Sequence, residues 1–178
     1  LRGLTVTLQD QDAERLTPAM KRAAELFDRR LRDRLRVRDA LDRLIPDVTG
    51  AGVRRADVII EAIFENLAVK QALFATVESQ AKADAILATN TSSLKLADIG
   101  ANMRDPARLV GIHFFNPVAQ LQLVEVVAGE RTDKRWAEDA AAFVRAIDKL
   151  PLPVKDAPGF LVNRVLGPYL AAAFRMLE

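Results

Sequence analysis

Apolar and polar positions along this chain switch between two periods, and the switches mark out its elements. Leu4-Thr5-Val6-Thr7-Leu8 is rich in strand formers and stops at Gln9-Asp10. Leu16, Met20, Ala23, Phe27 and Leu31 then recur at helical spacing. Asp12 is placed to cap that helix, while Pro18 predicts that it starts at Thr17 or bends there. A second amphipathic piece carries Val37, Ala40, Leu41 and Leu44, and residues 43–48 predict a short strand that Pro46 assigns to an edge. Residues 57–62 form a nearly continuous apolar run broken by one acid, a pattern typical of a parallel strand covered on both faces. Asn66 is placed to cap a helix running through Leu73 and Val77. Residues 85–90, 109–114 and 123–127 predict further strands, and Trp136, Ala140, Phe143 and Ile147 define another helix face. Pro153-Val154-Lys155 predicts a last short strand. Pro158-Gly159 then leads into a helix with Leu161, Val165, Tyr169, Ala172 and Met176. Alternating apolar strands and helices predict an α/β domain with a mainly parallel sheet.

Composition narrows the function classes. The chain has 178 residues, half of them hydrophobic, and a formal net charge of +2, an ordinary globular balance that calls for neither a nucleic-acid nor a membrane partner. With no cysteine there is no disulfide, thiol nucleophile or cysteine-bound metal, which fits a reducing compartment such as the cytoplasm. The single histidine, His113, cannot build a multi-histidine metal site, so no metal is expected. No apolar run approaches the roughly 18 residues of a membrane helix, and no stretch reads as a signal peptide. The chain opens at Leu1 and closes inside an apparently unfinished helix, which predicts a fragment of a longer protein. Six arginines between Arg29 and Arg38 read either as a solvated helix–turn–helix surface or as a rim attracting an anion such as the phosphates of coenzyme A.

The candidate chemistry clusters at strand ends. Asp10 ends one strand and precedes a helix; there an acid serves as a turn residue or, in dinucleotide-binding folds, as the acceptor for adenosine-ribose hydroxyls. Glu61 sits inside an apolar strand, where an acid is costly unless paired or facing a cleft. Glu65 and Lys70 flank the start of the next helix, at the sheet edge where open α/β folds bind ligands. Thr89-Asn90-Thr91-Ser92-Ser93 offers more small polar groups than one helix cap requires, so at least one hydroxyl is available to a ligand. His113 ends a strand, and Glu125 lies inside the next. A carboxylate facing an imidazole fixes its tautomer and suits it to take a proton at neutral pH, but spacing alone does not establish the contact. Asn163 falls one turn into the last helix, where an amide also serves plain helix–helix contacts.

Together these segments resemble the L-3-hydroxyacyl-CoA dehydrogenase family. The matching stretches are ADVIIEAIFENLAVKQALF (56–74), ILATNTSSL (86–94), GIHFFNP (111–117), LVEVV (123–127) and KDAPGFLVNRVLGPYL (155–170). RLIPDVTGAGVRRADVIIEAIFE is most similar to the multifunctional fatty-acid oxidation proteins, which fuse an enoyl-CoA hydratase ahead of this module. The resemblance implies a Rossmann-like NAD-binding domain over residues 1–157 and the start of a helical dehydrogenase domain over 158–178. It implies NAD as cofactor, an acyl-CoA substrate, and an oligomeric parent with a thiolase subunit as a candidate partner. It casts His113 as general base, Glu125 as its partner, Ser92 as the hydroxyl at the substrate's 3-oxygen and beside the nicotinamide, and Asn163 as the catalytic amide. It places Asp10 at the adenosine ribose and Glu65, Lys70 and Asn116 on the nicotinamide side. Two departures stand out: the family's first strand with its GxGxxG turn, and most of its helical C-terminal domain, have no counterpart here. These departures predict that the 178 residues alone are inactive and bind NAD poorly. The alternatives are a related hydroxybutyryl-CoA or sugar-acid dehydrogenase, and a non-catalytic interaction module.

Overall fold

The computed structural model describes residues 2–176, in two compact units, Leu1–Arg55 and Ala56–Glu178. The first unit contains β1 (Val6–Gln9), α1 (Ala13–Leu31), α2 (Arg34–Asp42) and β2 (Leu44–Asp47), and its two strands pair in parallel from Val6 opposite Leu44 to Gln9 opposite Asp47. Asp12 caps α1 by accepting from the Glu14 amide, so the helix begins at Ala13, not Thr17, and includes Pro18. Proline forfeits one intrahelical donor there, yet α1 continues through it to Leu31. Arg32, at φ 55°, ends α1, and Asp33 caps α2 from the amides of Leu35 and Arg36. All six arginines of this turn are exposed, which fits a solvated surface and an anion-attracting rim alike.

β2 ends in a loop organised by one carboxylate. Asp47 accepts from the Thr49, Gly50 and Gly52 amides and from the Thr49 hydroxyl. Led by the Gly52 amide, these donors hold its pKa at about 2.

The second unit is a five-stranded sheet in the order β3 (Val58–Glu61), β4 (Ile86–Thr89), β5 (Leu109–Phe114), β6 (Leu123–Ala128), β7 (Leu150–Lys155). Every pair is parallel except β5–β6. Its helices are α3 (Leu67–Gln80), α4 (Leu96–Ile99), α5 (Lys134–Ala146) and α6 (Val162–Arg175). Period-two alternation divides the sheet residues between two faces. Ile86, Ala88, Val110, Ile112, Val124 and Val126 form a core with Trp136, Ala140, Ala141 and Val144 of α5. The alternate positions, Leu87, Thr89, Gly111, His113 and Glu125, point to the other face. Gly111 is required by close approach, since a Cβ there would lie 2.7 Å from the Cβ of Val127, its direct cross-strand partner.

Several elements differ from the sequence-based expectation. Among the described residues β3 pairs with β4 alone, and Val58, Ile59 and Ile60 are only half-buried, so it is not a strand covered throughout; its buried residue is the acid, Glu61. α3 does run through Leu73 and Val77, and its buried stripe is Lys70, Phe74 and Val77, with Leu73 half-buried. β7 extends back to Leu150, because an edge strand tolerates Pro151 and Pro153 on its unpaired side. α4 takes no cap from the preceding hydroxyl cluster. Its Leu96 amide donates instead to Asp156, 2.9 Å away and 60 residues downstream. Leu161, Val165, Leu166, Tyr169, Leu170 and Phe174 leave α6 with an exposed apolar face.

Candidate active site

Glu61 lies opposite Thr89, and Thr89 opposite Gly111, so β3, β4 and β5 finish at one edge of the sheet. Most of the expected chemistry gathers there. The antiparallel turn between β5 and β6 puts His113 directly opposite Glu125. The two side chains meet, with Nδ1 of His113 2.8 Å from Oε2 of Glu125. The histidine is 6% exposed and the glutamate 0%. An ionised carboxylate can only accept, so Nδ1 carries the donated proton and Nε2 keeps its lone pair. Phe115 and Phe160 meet the imidazole edge-on, with centroids 4.6 and 5.6 Å away, and restrict its rotation.

The other oxygen of Glu125 reaches a different element. The Leu161 and Val162 amides donate to Oε1 at 3.0 and 2.8 Å, which fixes the start of α6. The same carboxylate thus holds the imidazole and the helix that carries Asn163. Asn163 itself is exposed in the first turn of α6.

At the ends of β3 and β4 a polar network is built around buried charges. Lys70, 1% exposed, places Nζ 2.6 Å from Glu61 Oε1, 3.3 Å from Glu65 Oε2 and 3.3 Å from the Ile63 carbonyl. Glu61 also accepts from the Ile63 amide and from the Thr89 hydroxyl, each at 2.7 Å. Glu65 Oε1 accepts the hydroxyls of Thr91 and Ser93. Burial pushes the Glu65 carboxyl up, but the Thr91 and Ser93 hydroxyls and Lys70 together hold it below its ordinary value. Ser92 is half-buried between the two clamped hydroxyl residues. Asn116 is exposed in the turn after β5, next to a cis bond to Pro117.

Asp10, in the first unit, follows β1 and uses Oδ1 to accept from the Asp12 amide at 3.0 Å. It is therefore a turn residue at the start of α1.

Three features escaped the sequence reading. Asn90 accepts the Phe114 amide with Oδ1 at 2.9 Å, extending the β4–β5 ladder by one side-chain bond next to His113. Its position just past a buried strand was the available signal. Glu61 is the partner that buries Lys70, and the lysine's spacing of four and seven residues from Phe74 and Val77 was legible as a core stripe. The double role of Glu125 left no sequence signal, because its second set of partners is backbone. Among the described residues no group of three or more His, Asp or Glu side chains could hold a metal ion.

The residues present fit the nicotinamide end of NAD. A partly exposed carboxylate, Glu65, can accept from ribose hydroxyls, and the Ser92 segment and His113 lie at the same sheet edge. The pyrophosphate turn is another matter: among the described residues no strand is joined to a helix by GxGxxG.

Comparison with known proteins finds chains of similar sequence and fold. The 3-hydroxybutyryl-CoA dehydrogenase of Escherichia coli is 37% identical with a TM-score of 0.92, over 98% of this chain and 38% of that one. The (S)-3-hydroxybutyryl-CoA dehydrogenase of Ralstonia eutropha is 29% identical with a TM-score of 0.93, over 99% of this chain and 64% of that one. The dehydrogenase part of multifunctional enzyme 1 from C. elegans is 32% identical with a TM-score of 0.77, over 88% of this chain and 36% of that one. The present chain therefore spans less than two thirds of each of these structures. The profile of one family, "3-hydroxyacyl-CoA dehydrogenase, NAD binding domain", matches residues 1–157. This chain belongs to the 3-hydroxyacyl-CoA dehydrogenase NAD-binding domain family, whose cofactor is NAD.

Proposed function

We propose that this chain is the cofactor-side part of an NAD-dependent (S)-3-hydroxyacyl-CoA dehydrogenase that yields 3-oxoacyl-CoA in fatty-acid β-oxidation. The observation that carries this reading is the buried contact of His113 Nδ1 with Glu125, which leaves Nε2 as a proton acceptor. In this reading residues 1–157 form the cofactor domain and 158–178 begin a helical second domain. His113 takes the proton of the 3-hydroxyl through Nε2, and Glu125 stabilises the imidazolium that results. NAD, when bound, supplies the acceptor for the hydride that leaves C3. Ser92 and Asn163 donate to the 3-oxygen as negative charge develops on it. Glu65 and Asn116 face the nicotinamide ribose, with Lys70 behind Glu65, and Asp10 takes the adenosine ribose.

The 178 residues by themselves are expected to show no turnover, since they hold the base but no pyrophosphate cradle. We place the parent protein in the cytoplasm, as an oligomer joined to a thiolase subunit. Replacing His113→Gln in the full-length protein tests the catalytic reading. The expected outcome is a loss of kcat of about a hundredfold or more with acyl-CoA binding little changed. An unaffected enzyme would assign the chain to a non-catalytic interaction role. Rates along a series of acyl chain lengths distinguish a long-chain enzyme from a hydroxybutyryl-CoA enzyme.

A further inference from the structure

Lys70 is an unusual residue to find inside a protein. Burying an ammonium is costly unless each proton finds a partner, and here all three are used. Glu61, Glu65 and the Ile63 carbonyl surround Nζ within 3.3 Å. The side chain is 1% exposed, so its charge reaches the surface only through Glu65.

Glu65 in turn spends one oxygen on Ser92's two neighbours. Oε1 accepts from both Thr91 and Ser93, while Oε2 faces Lys70. Thr91 also turns the chain, because its hydroxyl oxygen accepts the Ser93 and Leu94 amides at 3.3 and 3.0 Å. The residue between the two clamped hydroxyls is Ser92. On the inner side, Glu61 ties the lysine to Thr89, the last residue of β4, whose hydroxyl donates at 2.7 Å and accepts the Thr91 amide at 3.2 Å. The chain from Thr89 to Ser93 is thus held at both ends by carboxylates that share one lysine.

We propose that Glu61 and Lys70 form a buried ion-pair relay that sets the position of Ser92. Glu61 is then a positioning residue for the hydroxyl step, acting through Lys70, Glu65 and the Thr91–Ser93 bracket. This rests on the reading of Ser92 as a donor to the substrate's 3-oxygen.

The consequence is an energetic coupling between two residues that do not touch. Glu61→Gln keeps the shape of the side chain but removes the charge that holds Lys70. Thr89→Val keeps volume and removes only the hydroxyl. Both are made in the full-length protein, alone and combined with Ser92→Ala, and steady-state rates are measured alongside thermal unfolding. In the otherwise wild-type enzyme each is expected to lower kcat, Glu61→Gln by about tenfold to a hundredfold, with the acyl-CoA KM within about threefold. In the Ser92→Ala background the same changes should alter kcat by less than about twofold, because the hydroxyl they position is gone.

Equal losses in both backgrounds would overturn the relay and leave Glu61 an ordinary structural acid. So would unchanged kcat in folded single variants. Should Glu61→Gln fail to fold, Thr89→Val carries the same test. A loss on Glu61→Gln with none on Ser92→Ala would overturn the relay by removing its endpoint. His113→Gln separates that result from failure of the dehydrogenase reading, which falls only if this variant also keeps full activity.

Discussion

Replacing Glu125→Gln asks the most of the site, because one carboxylate serves two elements. It accepts from His113 Nδ1 at 2.8 Å and from the Leu161 and Val162 amides at 3.0 and 2.8 Å. Glutamine has one carbonyl and one NH2, so it can satisfy only one side. With its carbonyl toward His113, the NH2 would confront two part-buried amide donors, at up to about 1–3 kcal/mol for each donor left unpaired. With its carbonyl toward α6, it confronts only the imidazole, which can adapt by moving its proton to Nε2. The second arrangement wins, two donors against one. It keeps α6 in place and removes the base, since the nitrogen that should accept a proton now carries one. The analogous carboxylate-to-amide change in serine proteases reverses the histidine tautomer at about 10⁴-fold in kcat. A loss of about 10³ to 10⁴ is therefore expected here, measured as 3-hydroxyacyl-CoA-dependent reduction of NAD by the full-length enzyme. Stability, measured by urea unfolding, should fall by no more than about 2 kcal/mol. Glu125→Ala leaves the imidazole N–H and the Leu161 and Val162 amides all without their acceptor and should fall further, by about 1–3 kcal/mol for each donor that water does not reach. If Glu125→Gln retained more than about a tenth of wild-type kcat, the tautomer argument would be wrong.

Two further outcomes concern stability. Asp47 has its pKa lowered from 3.8 to about 2, so its contribution is present above 3.8 and is lost as pH falls through 2. The urea midpoints of wild type and Asp47→Asn should converge over that interval, and a constant gap would contradict it. Glu65, also lowered, loses its contribution in the same direction. Asp156, raised chiefly by burial, has the opposite sign, favouring the fold as it takes up a proton. Gly111→Ala would press a methyl to 2.7 Å from Val127 Cβ, between β-strands that cannot separate without losing the His113–Glu125 register. It is expected to destabilise by about 1–3 kcal/mol in thermal or urea unfolding, and a neutral result would show that β5 and β6 adjust freely.

Most of the strands and helices were legible because their periods are local. The apolar runs at 86–89 and 109–114 and the caps Asp12 and Asn66 acted where they stood in the sequence. Misreadings arose where a distant residue decided the outcome. The cap of α4 comes from Asp156, and the covered part of β3 is the acid that α3 reaches down to meet. The site shows the same division. His113 and Glu125 could each be placed on a strand, but their meeting depends on the antiparallel register of β5 and β6. Lys70 was visible as a residue near Glu65, whereas its burial depends on Glu61, nine positions earlier. Asn90 looked like one of several small polar residues until β5 supplied the amide it holds.

The bond from the Leu96 amide to Asp156 has a bearing on the order of assembly. α4 is a single turn of four residues, too short to persist alone in water. Gln71 of α3 holds the Asp98 carbonyl of this turn at 2.7 Å, but the anchor of its first amide arrives only with Asp156, just past the last strand, so the amide end of the turn is a late staple that closes after β7 has docked. Contacts so far apart in the chain are slow to form. α4 therefore settles in two stages, its carbonyl end against α3 first and its amide end near the end of folding, after the Lys70 network has already bracketed Ser92.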